Sequence, residues 1–200
     1  MRKLILFNMI TLDGFFEGPN REIDWHNVDE EFNVFACEQL READVLLFGR
    51  VTYELMASYW PSSDAVANDP IIANLMNTKP KIVFSRTLST VDWNNTRLVK
   101  ENSAEVIARL KQMSGLPAGA PAQIGKDLMI FGSADFASGL ARLGLIDEYR
   151  LMVNPVVLGN GKPLFKNLSV KLNLKLLRTR VFRSGNVLLY YQPDREKSLG

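Results

Sequence analysis

Short, continuously apolar runs alternate along the chain with segments whose apolar residues recur at helical spacing. The runs have the length and residue types of buried strands, and they form the centres of predicted strands at residues 3–10, 43–48, 81–85 and 128–131. The helical segments cover residues 29–42, about 50–59, 71–77, 104–113 and the stretch that begins at 134. This alternation predicts an α/β fold with a mostly parallel, doubly wound central sheet flanked by helices.

The pattern in the last third of the chain predicts that antiparallel strands complete this sheet. Residues 145–158 are typical of a long strand region, although Pro155 excludes a fully paired central position and favours a bulge or a strand end. Residues 172–182 and 187–192 form a predicted hairpin around the turn at 184–186.

Two stretches have the composition of loops. Residues 62–70 are polar, and residues 115–125 contain three glycines and two prolines, too many for a helix or a strand. Too little chain follows the second loop to form another domain. We therefore predict a single domain over 1–192 and a frayed tail over 193–200.

The composition argues against several classes of function. Of the 200 residues, 46% are hydrophobic and 23% are charged, and the net charge of +2 gives no reason to expect nucleic acid or a membrane surface as partner. No apolar run approaches the ~20 residues of a membrane span. Asn8, Thr11 and Asp13 interrupt the N-terminal run before it reaches the pattern of a signal peptide. We expect a cytosolic protein.

The chain has one cysteine, Cys37, and one histidine, His26. A lone cysteine cannot form an internal disulfide. One residue of each kind also makes a His/Cys metal site unexpected and argues against a zinc-dependent deaminase. We predict no metal, and we assign no role to His26.

Three predicted strands end in similar short polar clusters, at residues 49–52 (GRVT), 85–87 (SRT) and 132–134 (GSA). If the strands are parallel, these clusters share one edge of the sheet, where α/β proteins bind ligands. Helix N-termini attract anions, and an arginine holds a phosphate through a bidentate fork. The clusters therefore predict a site for a nucleotide with more than one phosphate.

Each residue of these clusters also has a simpler interpretation. Arg50 and Arg86, taken singly, could be solvated surface residues, and Thr52 could cap a helix. The turn at Gly132 and Ser133 could be an ordinary connection with nothing bound.

Five segments, in this order, resemble the dihydrofolate reductase-like family, and most closely its bacterial branch related to the reductase domain of riboflavin biosynthesis. The segments are LFNMITLDG (6–14), FGRVTYE (48–54), FSRTL (84–88), IFGSADF (130–136) and LIDEYRLMVNPVVLGNGKPLF (145–165). The resemblance runs from about residue 2 to residue 192. It implies a dihydrofolate reductase-like fold that closes with an antiparallel C-terminal hairpin.

The resemblance also implies that the strand ends bind NADPH. The cluster at 49–52 would hold phosphates, the one at 85–87 would lie by the adenosine 2′-phosphate, and the turn at 132–134 would take the pyrophosphate. The residues concerned are Gly49, Arg50, Thr52, Ser85, Arg86, Phe131, Gly132, Ser133 and Ala134. Reductases of this family carry a Gly-Gly pair where this chain has Phe131-Gly132. The Phe131 side chain is therefore expected to narrow the approach of the cofactor to this turn. Two arginines near a 2′-phosphate favour NADPH over NADH.

By the same resemblance, Asn8 and Met9 flank the nicotinamide, and Asn154 and Pro155 face it from the substrate side. Asp13 is the polar candidate for catalysis beside the nicotinamide. Its alternative is a turn-stabilising side chain that bonds to nearby backbone.

The substrate side has weaker candidates. Trp25 and Trp60 could stack on a flat heterocycle, although core packing is a commoner reason for such residues, and Phe32 faces inward on the first helix. Folate reductases hold the pterin with a carboxylate on this helix. The nearby acids, 29–31, are interpreted as a cap or as solvated residues.

These features predict an NADPH-dependent reductase of a small planar heterocycle, similar to dihydrofolate reductase or 5-amino-6-(5-phosphoribosylamino)uracil reductase. The heterocycle would be a pterin, a folate-like compound or a pyrimidine. The alternative is a non-catalytic nucleotide- or ligand-binding protein that retains the fold. The apolar strands at 172–177 and 187–191 could form a homodimer interface, as in relatives of the riboflavin branch, or a sheet edge within one chain.

Overall fold

The computed structural model describes residues 1–113, 127–132, 134–166, 168 and 171–194. Its strands are β1 (Leu4–Thr11), β2 (Phe15–Glu17), β3 (Ala43–Gly49), β4 (Lys81–Phe84), β5 (Thr96–Val99), β6 (Asp127–Phe131), β7 (Glu148–Asn154), β8 (Lys162–Pro163), β9 (Leu174–Val181) and β10 (Val187–Pro193). Its helices are α1 (Glu30–Glu42), α2 (Arg50–Tyr59), α3 (Ser63–Asn68), α4 (Pro70–Thr78), α5 (Ser103–Gln112) and α6 (Ala134–Arg142).

Eight strands form one sheet in the order β5-β4-β3-β6-β1-β7-β10-β9. The first six are mutually parallel, whereas β10 is antiparallel to both of its neighbours. The predicted fold class, a mostly parallel sheet with an antiparallel C-terminal hairpin, is confirmed. A second, two-stranded sheet pairs β2 with β8.

Helices cover both faces of the parallel part, which explains why its strands are apolar without alternation. Successive side chains of β1 point to opposite faces. Leu4 and Leu6 belong to the core cluster that includes residues of α5 and α6, whereas Ile5 belongs to the cluster that includes residues of α1, α2 and α4.

Helix α1 begins where the sequence predicts. The Asp29 side chain accepts a hydrogen bond from the Phe32 N–H at 2.8 Å and so caps the helix. At the other end, the buried Arg150 of β7 donates to Gln39 and Glu42 of α1. This bridge fixes the helix against the strand whose end lies at the candidate site.

A buried lysine caps the C-terminal end of α4. The Lys81 Nζ donates to the carbonyl oxygens of Met76 at 2.8 Å and Lys79 at 2.7 Å, and lies 4.5 Å from the centre of the Trp93 ring. Burial lowers the pKa of Lys81 to about 8. Because its ammonium satisfies carbonyls that a helix end leaves unpaired, its role is structural.

The structure differs from the sequence predictions in three places. The predicted loop 62–70 is wrong, because α3 occupies most of it and begins at a cap provided by the Ser62 side chain. The strand predicted over 145–158 is too long, since β7 ends at Asn154, immediately before Pro155. The short pair β2–β8 was not predicted.

Two further predictions fall on chain that the structure leaves out. The loop 115–125 lies outside the described residues, as do residues 195–200 of the predicted tail. The division into one domain and a tail stays a prediction.

Candidate functional site

The carboxyl ends of four neighbouring parallel strands meet at one edge of the sheet. Gly49 at the end of β3 pairs with Phe84 of β4, Leu47 pairs with Ile130 of β6, and Phe7 of β1 pairs with Phe131. Residues that follow these pairs are therefore side by side. The prediction that the three polar clusters share an edge is confirmed for their described residues.

The turn after β6 is built around Gly132. Its φ of +64° lies in the left-handed region, and its N–H donates to the Asn8 Oδ1 at 2.8 Å. A Cβ at this position would lie 3.2 Å from the Thr52 Oγ1 and 3.1 Å from the Phe16 Cζ. We call Asn8, Thr52 and Gly132 the Gly132 cradle. The Phe16 ring lies against the glycine, and Ser133 lies outside the described residues.

Helix α2 begins beside the cradle. Its N-cap, Gly49, offers no side-chain hydrogen bond, and its first turn contains no acid. Thr52 is buried inside the helix and is not its cap. The exposed Arg50 guanidinium is held by Glu54 one turn later, with distances of 3.1 and 2.9 Å to the two carboxylate oxygens. Arg50 would have to leave Glu54 to hold a phosphate.

The cluster after β4 divides its roles between two residues. The Ser85 Oγ accepts hydrogen bonds from the N–H groups of Thr87 at 3.2 Å and Leu88 at 3.0 Å, so it builds the turn. Arg86 is exposed and forms no ion pair with any residue that the structure describes. Arg86 is thus the available positive charge at this end of the edge.

The first turn of α6 carries an acid whose charge is compensated. Ala134 is buried at the helix start, and Asp135 follows it. The Asp135 carboxylate binds Lys166 and lies 3.3 Å from the Lys162 ammonium; the hydrogen bond from Lys166 is the main cause of its lowered pKa. Lys162 also reaches Glu17 of β2 at 3.0 Å. The lysines offset the repulsion that this carboxylate would exert on an anion at the helix start.

Asp13 joins the loop after β1 to the loop after β7. Its carboxylate accepts hydrogen bonds from the Thr11 hydroxyl at 2.6 Å, the Gly159 N–H at 2.8 Å and the Leu158 N–H at 3.3 Å. The Thr11 bond is the main cause of the lowered pKa of Asp13. These contacts are those of a side chain that ties loops together, and a catalytic role for Asp13 stays a prediction.

Asn154 is fully buried and uses both ends of its amide. Its Oδ1 accepts a hydrogen bond from the Asn27 N–H at 2.9 Å, and its Nδ2 donates to the carbonyl oxygens of Ile10 and Met152, each at 3.3 Å. It therefore anchors the segment before α1 to the ends of β1 and β7. The following Pro155 is exposed, as a substrate contact would require.

Aromatic side chains surround this part of the edge. Phe32 and Phe131 pack against the buried cluster that contains Met9, Phe7 and Phe35, and the Phe131 ring meets Phe7 edge-on with centroids 5.9 Å apart. The structure thus brings the predicted cofactor residue Met9 and the predicted substrate residue Phe32 into one cluster.

The two candidate tryptophans are held by local contacts. The half-buried Trp25 donates its indole N–H to the Glu22 carbonyl at 3.2 Å, and Trp60 directs its indole N–H at the Met56 sulfur. Of the three acids at 29–31, Asp29 caps α1, Glu31 accepts the Arg183 N–H at 2.9 Å, and Glu30 is exposed.

Sequence reasoning missed two residues at this edge. Burial lowers the pKa of His26 to about 4, and its Nε2 has no hydrogen-bond partner in the described part of the chain. The second is Phe16, which covers Gly132. Phe16 has no signal in the local pattern, because Gly132 is distant from it in sequence, whereas the His26 ring meets the adjacent Trp25 edge-on with centroids 4.5 Å apart.

Among the described residues, no group of His, Cys, Asp and Glu side chains is arranged to hold a metal ion. No helix of that part of the chain has the length and apolarity to cross a membrane.

The strand order, the antiparallel hairpin and the glycine turn before α6 define a dihydrofolate reductase-like fold. The model of the RibD C-terminal domain family matches residues 2–188, and the chain belongs to this family. The chain is 36% identical over 190 residues to the uncharacterized protein YyaP of Bacillus subtilis (strain 168), covering 95% of this chain and 94% of that protein.

Solved structures agree with this fold. A protein from Shewanella sp. PV-4, provisionally named a riboflavin biosynthesis protein, is 25% identical, with a TM-score of 0.70 and coverage of 96% of this chain and 99% of its own. Dihydrofolate reductase from Enterococcus faecalis, in complex with NADP(H) and RAB-propyl, is 12% identical, with a TM-score of 0.60 and coverage of 96% of each chain. The second likeness shows the fold alone.

Proposed function

We propose that this protein is a cytoplasmic, NADPH-dependent reductase that transfers a hydride to a small planar heterocycle, either a pterin, a folate-like compound or a pyrimidine. The observation that carries the proposal is that Asn8, Gly49, Thr52 and Gly132 lie at one edge of the sheet. Arg86 follows the end of the neighbouring strand β4 by two residues. The family and the NADP(H)-bound reductase of the same fold support it.

The residues present fit a dinucleotide. A Cβ at Gly132 would lie 3.1 Å from the Phe16 ring and 3.2 Å from the Thr52 hydroxyl, so the position suits glycine, and α2 starts without a side-chain cap or an acid. Backbone N–H groups at such helix starts bind phosphates. We assign Gly49, Thr52, Gly132, Ser133 and Ala134 to the phosphates.

The charged and apolar residues complete the assignment. Arg86, on a turn built by Ser85, would hold the 2′-phosphate, and Arg50 would assist after exchanging Glu54 for the ligand. Asn8 and Met9 would border the nicotinamide, with Phe131 beside them. When bound, NADPH supplies the hydride.

The substrate would lie against the aromatic cluster near Phe32, with Trp25, Asn154 and Pro155 around it. The tied loops after β1 and β7 would exclude water from this space. Asp13 is our candidate for managing the proton. The variant Asp13→Asn should then lower kcat far more than it raises the Kd for NADPH. An unchanged kcat would mean that Asp13 only ties the two loops together.

The proposal is tested by titrating the protein with NADPH and then following NADPH oxidation with pterins, folates, pyrimidines and flavins. We expect micromolar binding and turnover of at least one compound. Binding without turnover of any of them would favour the alternative of a non-catalytic nucleotide-binding protein. Absence of NADPH binding would refute both the reductase and the cofactor assignment.

We also propose a homodimer. The outer strand β9 exposes Leu176, Leu177 and Val181, with 50, 45 and 70% of their surfaces accessible. Exposed apolar residues along an edge strand invite pairing with another chain. Light scattering should give twice the chain mass, and Val181→Lys should shift it towards the monomer.

A further inference from the structure

The orientation of the Asn8 side-chain amide is fixed by its hydrogen bond to the turn after β6. The Gly132 N–H can only donate, so the Asn8 atom that accepts from it at 2.8 Å is the oxygen, Oδ1. This bond removes the usual ambiguity between the two ends of an asparagine amide. The amide nitrogen, Nδ2, is the other end of the same planar group and therefore lies close to the turn.

The Nδ2 of Asn8 is buried and lacks a partner. Asn8 is 2% exposed, and its Nδ2 has no acceptor within the described part of the chain. Buried polar groups are nearly always paired, so an unpaired donor at a candidate site is a reason to expect a ligand atom there. The group that pairs with it must offer an acceptor.

The Asn8 side chain lies on the face of β1 that packs against α6. Successive side chains of a strand point to opposite faces. Phe7 and Met9 belong to the aromatic cluster on the α1 face, whereas Leu6 belongs to the cluster that contains Ala134 at the start of α6. Asn8 shares its face with Leu6. A ring that packs on Phe7 and Met9 would therefore lie on the other side of the strand from the Asn8 Nδ2.

The groups close to this donor suit an anion. The Thr52 hydroxyl oxygen lies 3.2 Å from the position that a Cβ of Gly132 would take, and α6 begins two residues after the glycine, at Ala134. The first N–H groups of a helix have no partner within it and form the positive end of its dipole. Phosphate oxygens accept hydrogen bonds and carry negative charge, which matches both the helix start and the unpaired amide.

We propose that Asn8 is a further cofactor-binding residue, whose Nδ2 donates a hydrogen bond to a diphosphate oxygen of the dinucleotide beside the start of α6. This rests on the proposed function and changes it at one residue. The backbone of Asn8 would still border the nicotinamide, next to Met9, while its side chain reaches the diphosphate from the opposite face of the strand.

The contact requires a neighbouring group to move, because the Nδ2 is buried. Phe16 is the side chain that lies against Gly132, with its ring edge 3.1 Å from the position of a Cβ there. It belongs to β2, a strand of three residues that pairs with the two residues of β8. We expect this short pair to shift when a phosphate enters the turn.

The first test uses Asn8→Asp, which keeps an oxygen for the Gly132 N–H, removes the donor and places a carboxylate beside the expected diphosphate. Calorimetry compares three ligands on both proteins: NADPH, 2′-phospho-ADP-ribose, which lacks nicotinamide, and adenosine 2′-monophosphate, which lacks the diphosphate. We expect the first two to bind about 30-fold more weakly, as for the loss of one hydrogen bond to a charged group, and the third to bind unchanged. Asn94→Asp, at an exposed position, is the control.

Three results of this comparison would overturn the proposal. Weakening of NADPH alone would assign the donor to the nicotinamide half of the cofactor. Equal weakening of all three ligands would mean that the variant disturbs the whole site. Unchanged affinity for NADPH would mean that Asn8 makes no contact with the cofactor.

A second measurement needs no variant and covers the case in which the substitution disturbs folding. In the ¹⁵N-labelled wild-type protein, NADPH and 2′-phospho-ADP-ribose should both slow hydrogen exchange of the Asn8 side-chain amide, and adenosine 2′-monophosphate should not. Slowing by NADPH alone, or by none of the ligands that bind, would overturn the contact and leave the proposed function standing. If the protein binds none of the three, the proposed function fails as well.

Discussion

The two halves of the carboxyl edge use their polar groups in opposite ways. In the half formed by β3, β4 and β6, the cap of α2 offers no side-chain bond and Arg86 pairs with no described residue. In the half formed by β1 and β7, Asn154 and Asp13 are committed to holding loops. The first half therefore leaves its helix start and its arginine available for an anion. In the second half these side chains hold the loops in place, so their chemistry does not indicate which ligand binds between the loops.

The largest expected effect is the loss of a loop anchor. Asn154→Leu removes the acceptor of the Asn27 N–H and leaves buried backbone groups unpaired, which should lower the free energy of unfolding by about 3 kcal/mol. Urea unfolding measures this, with Asn94→Leu at an exposed position as control. A variant with unchanged stability would mean that Asn154 does not anchor the loops, and a loss of turnover alone would leave it only the substrate contact.

The next largest effect is expected in the half formed by β3, β4 and β6. Gly132→Ala places a Cβ 3.1 Å from Phe16 and 3.2 Å from Thr52, and should weaken NADPH binding by about 100-fold, or ~2.7 kcal/mol. Gly144→Ala is the matched control, because Gly144 has nearly the same φ, +63°, but open space around it. Alanine at either position has the strain of a left-handed backbone, ~1–2 kcal/mol. The difference in NADPH affinity between the two variants therefore reports the crowding around Gly132. Equal affinities would show that nothing binds against Gly132.

The half-buried His26 makes the half formed by β1 and β7 sensitive to acid. The folded pKa of His26 is about 4, below its ordinary 6.5, so the unfolded chain takes up the proton first as the pH falls. Stability is therefore complete above pH 6.5 and is lost towards pH 4, by about 2 kcal/mol at pH 5. Urea unfolding at about pH 7.5 and 5 should show this loss in the wild-type protein and not in His26→Asn. Because the chain has one histidine, parallel pH profiles would contradict the assignment.

The smallest effect compares the two arginines. Arg86→Ala should weaken NADPH binding about tenfold and leave NADH binding unchanged, since only NADPH carries the 2′-phosphate. Arg50→Ala should cost roughly threefold or less, because Arg50 gives up Glu54 to bind the ligand. Fluorescence titration with both cofactors measures this, and Arg97→Ala on β5 serves as control. The reverse order of the two effects would put the 2′-phosphate at Arg50.

Much of the fold could be predicted because the local pattern and the tertiary environment agree. Strands covered on both faces read as apolar runs, and Asp29 carries a helix cap signal that the structure confirms. Helix α3 was missed because it has only six residues, of which only Ala65 is buried, although Ser62 followed by Asp64 is a start signal that could have revealed it. Strand β7 ends at Asn154 because the following residue, Pro155, has no N–H to donate to a neighbouring strand.

The candidate site could be predicted only as far as strand ends reveal it. Parallel strands bring their ends together, so the clusters at Gly49, Ser85 and Gly132 could be grouped from their order along the chain. The bond from Gly132 to Asn8 and the ring of Phe16 over the glycine depend on loop paths and strand register. No spacing in the sequence encodes such contacts.

Lys81 offers a use beyond its place at the end of α4. Its ammonium is sealed by carbonyl groups, and the residue is only 1% exposed. An amine-acylating reagent should therefore modify surface lysines of the native protein rapidly and reach Lys81 only when the α4–β4 junction opens. The fraction of acylated Lys81 peptide, followed over time by mass spectrometry, would then measure the rate at which this junction opens, under conditions in which the protein is almost entirely folded.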